Sequence, residues 1–325
     1  MPGGDLSQAY SGRTILVTGG AGFIGSHLTE ALVNHGAEVC VLDDLSSGRE
    51  ENLQPVAGRI RFVRGSILDP AVMKEAAGGA ELVFHLAALT SVPGSVDDPA
   101  LYYEVNATGT LRVLEAARSC GTRRVVFSAS SSAYGDAGGE RKVETARPQP
   151  QSPYAVAKCA GEHLLAAYAH CYDLSTISLR YFNIFGPRQR PDSPYAAVLP
   201  RFAEALLQKR KPIIYGDGSQ TRDFTHVANA VHANLLAGSC RKELRGEVVN
   251  IACGEAFSVL HLLRSIAEYL GVEPDCEFAP PRVGEILHSQ ASIEAARELI
   301  GFEPVMPFDR GLKDALDYYV RELKT

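Results

Sequence analysis

Thr14-Ile-Leu-Val-Thr-Gly-Gly-Ala-Gly-Phe-Ile-Gly25 is the stretch whose reading decides the fold. Its first five residues form a short apolar run of strand type, and Ser26 to His35 carry a helical pattern. Gly19, Gly22 and Gly25 therefore lie in a tight turn between a strand and a helix, the context in which backbone approaches a pyrophosphate at a helix N-terminus. The next apolar run, Glu38-Val-Cys-Val-Leu42, ends in Asp43. Its spacing from the glycines suits a carboxylate that binds an adenosine ribose, and its charge would repel a 2′-phosphate, so NAD is expected rather than NADP.

Outward from this point, strand-like runs alternate with helical segments. The strands are expected at Ile60 to Arg64, Leu82 to Leu86, Arg124 to Ser128 and Ser175 to Leu179, with helices near Pro99 to Cys120 and Tyr154 to Tyr172. This alternation predicts an α/β fold, a Rossmann-type doubly wound parallel sheet whose ligands gather at the carboxyl ends of the strands. Past Asn183 the texture shifts to proline and glycine clusters, as in Phe185-Gly-Pro-Arg188 and Tyr215-Gly-Asp-Gly218. We read residues 1–182 as the dinucleotide domain. Residues 183–224 and 252–325 form a smaller substrate-binding α/β domain, with a helix and strand in 225–251 returning to the main sheet. The polar start, Met1 to Gly12, is expected to be loosely ordered.

Composition narrows the function classes. The chain has 325 residues, 46% of them hydrophobic, enough to bury a full core. A net charge of −6 with 32 dispersed basic residues gives no stripe for nucleic acid. No signal peptide pattern and no membrane-spanning apolar run are present, so a cytoplasmic location is expected. The seven cysteines form an odd set without Cys-x-x-Cys, which argues against a disulfide framework and against a metal site.

Chemistry is announced by Ser130, within Ser128-Ala-Ser-Ser-Ser-Ala-Tyr-Gly135, and by the pair Tyr154 and Lys158. A tyrosine and a lysine four residues apart share a helix face, so the ammonium can favour the ionised phenol. Each unit by which a tyrosine falls below its ordinary pKa of about 10 is worth roughly 1.4 kcal/mol. A phenol so lowered is a base for a sugar hydroxyl.

Taken in order, Thr18-Gly-Gly-Ala-Gly-Phe-Ile-Gly25, His85-Leu-Ala-Ala88, Asn106, the serine cluster, Tyr154/Lys158 and Arg180-Tyr-Phe-Asn-Ile-Phe-Gly-Pro187 resemble the extended short-chain dehydrogenase/reductase family. Within it the NAD-dependent nucleotide-sugar 4-epimerases are the nearest branch, and the likeness covers almost the whole chain. Ser91-Val-Pro-Gly-Ser95, Tyr195-Ala-Ala-Val-Leu-Pro200, Gly216-Asp-Gly-Ser-Gln-Thr-Arg-Asp-Phe224 and Arg282-Val-Gly-Glu-Ile-Leu-His-Ser289 are similar to the bacterial UDP-N-acetylglucosamine 4-epimerases.

The resemblance implies that Tyr154 takes the proton of a sugar's 4-hydroxyl while Ser130 hydrogen-bonds that oxygen. The carbon-4 hydride passes to NAD, and the 4-keto sugar turns over and recovers it on its other face. Cofactor contacts are implied at Gly19, Gly22, Phe23, Ile24, Gly25, Asp43, Ile67, Leu86, Ala87, Ala88, Asn106, Ser128, Tyr154 and Lys158. UDP-sugar contacts are implied at Ser130, Ser132, Asn183, Leu199, Tyr215, Arg222, Arg282, Glu285 and Ser289. Arg222 and Arg282 would supply paired guanidinium groups for a pyrophosphate. Ser289 would leave room beside the sugar's 2-substituent for an acetamido group, where members restricted to plain hexoses carry tyrosine. A homodimer through the two long helices is implied as well.

Two positions depart from the pattern. Ser66 stands where an aspartate usually recognises adenine, and Asn229 replaces another frequent aspartate. Competing readings are a 4,6-dehydratase or decarboxylase of the same fold, a non-catalytic dinucleotide sensor, and an NADPH-exchanging reductase. Dehydratases carry an Asp-Glu pair where this chain has Ser131 and Ser132, which do not titrate usefully near pH 7. The intact Ser130, Tyr154 and Lys158 oppose a sensor.

Overall fold

A computed structural model describes residues 6–135, 139, 141–190, 198–281 and 287–323. Seven strands form one sheet, in the spatial order Arg245–Ile251, Ser175–Tyr181, Arg124–Ser130, Leu82–His85, Thr14–Thr18, Glu38–Asp43, Ile60–Arg64. Every adjacent pair is parallel. The chain begins in the middle, winds to one edge and then to the other, which is the doubly wound Rossmann arrangement. Its central strands are buried on both faces, as the continuous apolar runs at residues 15–17 and 82–84 require.

Two apolar layers cover the sheet. One packs Leu28, Leu32 and Val231 against Ile15, Val17 and Phe84. The other packs Val113, Leu114 and Leu165 against Leu16, Val83 and Phe127. A third core, with Phe202, Phe224, Leu262 and Phe308, belongs to the later part of the chain. There a small sheet runs Phe257–Ser258, Thr221–Arg222, His288–Ala291, Arg141–Lys142, the last strand coming from the first half of the sequence. The helix Val227–Ser239 leads into Arg245–Ile251, the edge strand of the large sheet.

Two expectations are corrected. Of the stretch expected to be loosely ordered, residues 1–5 lie outside the described residues and the remainder is anchored: Leu6–Tyr10 is helical, and the buried Tyr10 hydroxyl donates to Leu235 O at 2.6 Å. A polar sequence hid this because a single aromatic side chain supplies the anchor. The helix expected from Pro99 to Cys120 is interrupted, as Pro99–Tyr103, a π-helical turn Glu104–Thr108, and Gly109–Ser119. Such turns often mark functional positions. This one carries Asn106.

Arg124, at the start of the central Arg124–Ser130 strand, is 2% exposed and has no carboxylate partner among the described residues. Its guanidinium instead donates to Ser175 Oγ and to the carbonyls of Ala237, Gly238, Cys240 and Lys242, at 2.6–3.3 Å. These bonds fasten the end of the Val227–Ser239 helix to the sheet. Orphaned buried acceptors cost about 1–3 kcal/mol each, so Arg124→Met should lose at least about 3 kcal/mol of stability. A lower urea midpoint with unchanged slope is the expected reading; a midpoint equal to wild type would contradict it.

Candidate active site

The carboxyl ends of the strands bring Thr18, Asp43, His85, Ser130, Tyr181 and Ile251 to one edge of the sheet. The glycine turn lies there. Gly19 has φ 71°, and a Cβ on it would sit 2.6 Å from Ala87 N. A Cβ on Gly25 would meet Gly19 O at 2.1 Å, so the helix Phe23–Asn34 packs against the turn only because that position is glycine. The helix has no side-chain cap, and its bonding ladder opens with Ser26 N–H to Gly22 O at 3.0 Å. The first-turn amides of Phe23, Ile24 and Gly25 therefore lack intrahelical acceptors, and a Cβ on Gly22 would meet only Gly19 O. This cradle fits a dinucleotide pyrophosphate.

Asp43 is buried at the end of its strand. Its Oδ2 accepts Ala21 N–H and its Oδ1 accepts Leu45 N–H, both at 2.9 Å. Burial pushes its pKa up, while these amides hold it back. The same carboxylate that suits a ribose thus also fixes the glycine turn. Leu86, Ala87 and Ala88 leave the Leu82–His85 strand half-buried beside that turn, and Ile67 is buried against Gly109. Asn106 is buried, and Leu89 engages both ends of its amide, at 2.8 and 2.9 Å. It shapes the strip from Leu86 to Leu89 from behind.

His85 was quoted in the sequence without a role, and its geometry assigns one. Thr110 donates its hydroxyl to Asn106 O at 2.7 Å, so His85 Nε2–H donates to Thr110 Oγ1 at 3.0 Å. Nδ1 is then the acceptor for Thr18 Oγ1, 2.8 Å away. Burial pulls the imidazole down to about 3, so it is a neutral strut between the glycine turn and the Asn106 segment.

Ser152 and Pro153 set the reactive side chains. Ser152 Oγ accepts Ala155 N–H at 3.2 Å and Pro153 occupies the first turn, which starts the helix Pro153–Tyr172 and places Tyr154 at its mouth. Ser130 lies beside the Tyr154 phenol and holds its pKa back against the rise that burial causes. Ser130 Oγ accepts from Ser132 Oγ at 2.9 Å and from Ser132 N–H at 3.2 Å.

Lys158 corrects the simplest expectation. Its Nζ donates to Ser128 O at 2.8 Å and lies 4.9 Å from the Phe127 ring centre, but 6.0 Å from that of Tyr154. Burial raises the Tyr154 pKa above its ordinary value and lowers that of Lys158 to about 7. In both groups desolvation by burial is the largest cause, and it disfavours the charged form of each. Glu162, one turn further on, raises Lys158 and is itself gripped by Arg180 at 2.7 and 2.8 Å.

On the opposite wall, Asn183 adopts φ 38° two residues past Tyr181 and donates from Nδ2 to Asp223 O at 3.2 Å. Arg222 and Ser289 are register partners on adjacent parallel strands, so their side chains share a face; Thr221 and His288 bond to each other at 3.1 Å. Tyr215 is half-buried, its carbonyl accepting Gln220 Nε2 at 2.7 Å. Leu199 departs from its expected role. At 1% exposure its side chain is packed with Phe202 in the third core, because the Val198–Leu207 helix turns that face inward. Arg282 and Glu285 lie outside the described residues. Among the described residues no cluster of His, Cys, Asp or Glu could hold a metal.

Asn229, one of the departures, has a complete set of partners. Its Oδ1 accepts Val305 and Met306 N–H, and its Nδ2 donates to Met306 O, each at 2.8 Å. An aspartate has no N–H to make the third bond. Ser66 Oγ accepts Leu68 N–H at 3.2 Å, a local turn.

Comparison with known proteins gives four findings. Residues 15–252 match the model of the NAD dependent epimerase/dehydratase family. The UDP-glucose 4-epimerase of Mycolicibacterium smegmatis is 40% identical over 308 residues, 94% of this chain and 97% of that protein. The UDP-N-acetyl-alpha-D-glucosaminuronate decarboxylase of Bacillus cytotoxicus is 34% identical, covering 96% and 99%. Among solved structures, the UDP-N-acetylglucosamine 4-epimerase of Methanobrevibacter ruminantium M1, in complex with UDP-N-acetylmuramic acid, superposes with TM-score 0.91 at 36% identity, covering 96% and 99%.

The raised Tyr154 pKa yields a direct expectation. In protein stripped of dinucleotide, the difference between wild type and Tyr154→Phe should show no phenolate absorbance below about pH 10, the ordinary tyrosine value. Phenolate from this residue at neutral pH in the stripped protein would contradict the geometry.

Proposed function

The chain belongs to the NAD-dependent epimerase/dehydratase family, with NAD as its cofactor, and on that footing we propose that it inverts carbon 4 of a UDP-sugar through a transient 4-keto intermediate. The observation that carries this reading is the placing of Ser130, at the carboxyl end of its strand, beside Tyr154 at the mouth of the helix Pro153–Tyr172, with Lys158 buried one turn behind and bonded to Ser128 O. Gly19, Gly22, Phe23, Ile24, Gly25, Asp43, Ile67 and the Leu86–Ala88 strip would hold the dinucleotide. When bound, oxidised NAD supplies a hydride acceptor and a positive charge that favours the phenolate.

Tyr154 then takes the proton of the 4-hydroxyl and later returns it, while Ser130 donates to that oxygen in both directions. Ser132 donates to Ser130 Oγ from both its hydroxyl and its N–H, which restrains the Ser130 side chain. Lys158, with a pKa of about 7, can carry its charge at neutral pH while bonded to Ser128 O. Arg222 would meet the pyrophosphate. A decarboxylase relative exists on the same fold. Ser131 and Ser132 offer no acid and base for dehydration.

UDP-N-acetylglucosamine and UDP-N-acetylgalactosamine, with UDP-glucose and UDP-galactose, are the proposed substrates. Ser289 supports the N-acetyl sugars because it is small and shares a strand face with Arg222. The assembly proposed is a homodimer. Leu101, Tyr103, Val156 and Tyr172 leave apolar surface on adjacent helices, around a hollow of about 370 Å³ lined by Ala107, Leu111 and Leu164. Among the described residues no helix is long and apolar enough to cross a membrane, which fits the cytoplasmic location proposed.

A panel of UDP-sugars followed by NMR tests the reading, with inversion at carbon 4 expected and loss of water or carbon dioxide contradicting it. In Tyr154→Phe, turnover should fall by at least about 10²-fold with NAD still bound. Near-normal turnover would exclude Tyr154 as the base. Ser289→Tyr should lower kcat/KM for UDP-N-acetylglucosamine relative to UDP-glucose, because a rigid wall rejects the larger ligand. A ratio unchanged from wild type would remove the case for N-acetyl sugars.

A further inference from the structure

Asp223 carries the densest set of bonds on the substrate side, yet none of the roles described above uses it. It is 0% exposed. Its Oδ1 accepts Cys253 N–H at 2.9 Å, and its Oδ2 accepts Gly254 N–H at 3.0 Å and Ala291 N–H at 3.3 Å. Its own N–H donates to Ser289 O at 2.8 Å, and its carbonyl accepts Asn183 Nδ2 at 3.2 Å. These bonds join the loop after the Ser175–Tyr181 strand, the turn after Arg245–Ile251 and the strand His288–Ala291. Arg222 is its immediate neighbour in the chain.

A carboxylate suits this node because three N–H donors converge on it and an ionised carboxyl brings acceptors only. An asparagine of the same shape would point an N–H₂ at one of those amides and leave it without an acceptor. We propose that Asp223 is a positioning residue: its carboxylate, bonded to the Cys253, Gly254 and Ala291 amides, fixes the stretch of backbone that bonds Asn183 and Ser289 and carries Arg222, and so sets the places from which these three grip the nucleotide-sugar. The proposal rests on the functional reading given above. Asp223 touches neither the dinucleotide cradle nor the Ser130–Tyr154 pair, so its effect should fall on sugar-nucleotide affinity.

The ionisation of the carboxyl offers a second handle. Burial pushes it up to about 6 against the pull of the three amides, and Glu255 adds to the rise. Protonation would replace one acceptor with a donor facing N–H groups, so affinity should decline as pH falls through that value. Around Asp223 the other ionisable groups are Cys253 and Glu255 on the turn, Arg222 on its own strand, His288 on the adjacent strand and Lys142 on the strand beyond. An Asp223 variant titrated over the same range reports what these groups contribute without the Asp223 carboxyl.

The experiment uses the full chain with NAD bound and Tyr154→Phe as background, so that UDP-glucose binds without turnover. Its pyrophosphate diester has no proton to lose near the Asp223 pKa. At about pH 8, where the carboxyl is ionised, Asp223→Asn should raise the Kd for UDP-glucose about 10-fold, the scale of one orphaned buried donor. With Tyr154 restored, KM should rise by a similar factor and kcat should fall by less than about 3-fold. On going to about pH 5.5, the Kd of the Asp223 protein should climb toward that of the variant, which itself should change little.

A folded variant with unchanged Kd and KM overturns the positioning role, as does one whose kcat falls more than its KM rises. If the variant fails to fold, the pH titration of the Asp223 protein decides alone, and a Kd equal at the two pH values overturns the proposal. A wild-type chain that binds no UDP-glucose removes the functional reading and the positioning role together. Binding by wild type with an indifferent variant removes the positioning role only.

Discussion

The hydrogen bond from Lys158 Nζ to Ser128 O is the constraint on which the site depends. It ties the helix Pro153–Tyr172 to the central Arg124–Ser130 strand, and so brings Tyr154 to Ser130. The ammonium is 2% exposed and its bonded partner is a neutral carbonyl, which is why burial pulls its pKa down so far. At the other end of the same strand, Arg124 meets the same condition by the same means. Two buried cations, both satisfied by carbonyl dipoles, bracket the strand that carries the reactive serine. Carbonyl oxygens stabilise the charge without neutralising it, so Lys158 keeps a field that a carboxylate partner would have cancelled.

From that strand the rest of the site is laid out by register. Ser130 lies opposite Tyr181, and Tyr181 opposite Ile251. The loops that leave Tyr181 and Ile251 therefore start side by side, and Asp223 clasps both with the His288–Ala291 strand. On the dinucleotide side, His85 and Asn106 play the equivalent part, using neutral groups. The Asp43 carboxylate on that side accepts the Ala21 amide of the glycine turn and the Leu45 amide.

What could be read in advance was local in sequence. Gly19 to Gly25, Asp43 and the Tyr154/Lys158 spacing are separated by a few residues or by one strand and helix, and periodicity placed their elements correctly. What escaped was long-range. Nothing in the neighbourhood of Asp223 announces that amides from positions 253, 254 and 291 will converge on it. Helix spacing brought Lys158 and Tyr154 to one side, but only tertiary packing reveals that a carbonyl claims the ammonium first. Leu199 and Tyr10 were misplaced for a similar reason, since which face of a short helix turns inward depends on its neighbours.

The strand Arg141–Lys142 bears on how the polypeptide reaches this form. Gln290 pairs with Arg141 and Ala291 with Lys142, across nearly half the chain, and Ser292 N–H donates to Lys142 O at 2.9 Å. During synthesis, the segment around residue 142 must therefore wait until the last part of the chain has emerged before its pairing is complete. Closing so long a loop is slow relative to forming local helices. The dinucleotide cradle, whose contacts are closer in sequence, can form well before the substrate wall. A nascent chain would thus pass through a stage competent to hold NAD but not yet a nucleotide-sugar, and early capture of NAD would favour the later steps by mass action.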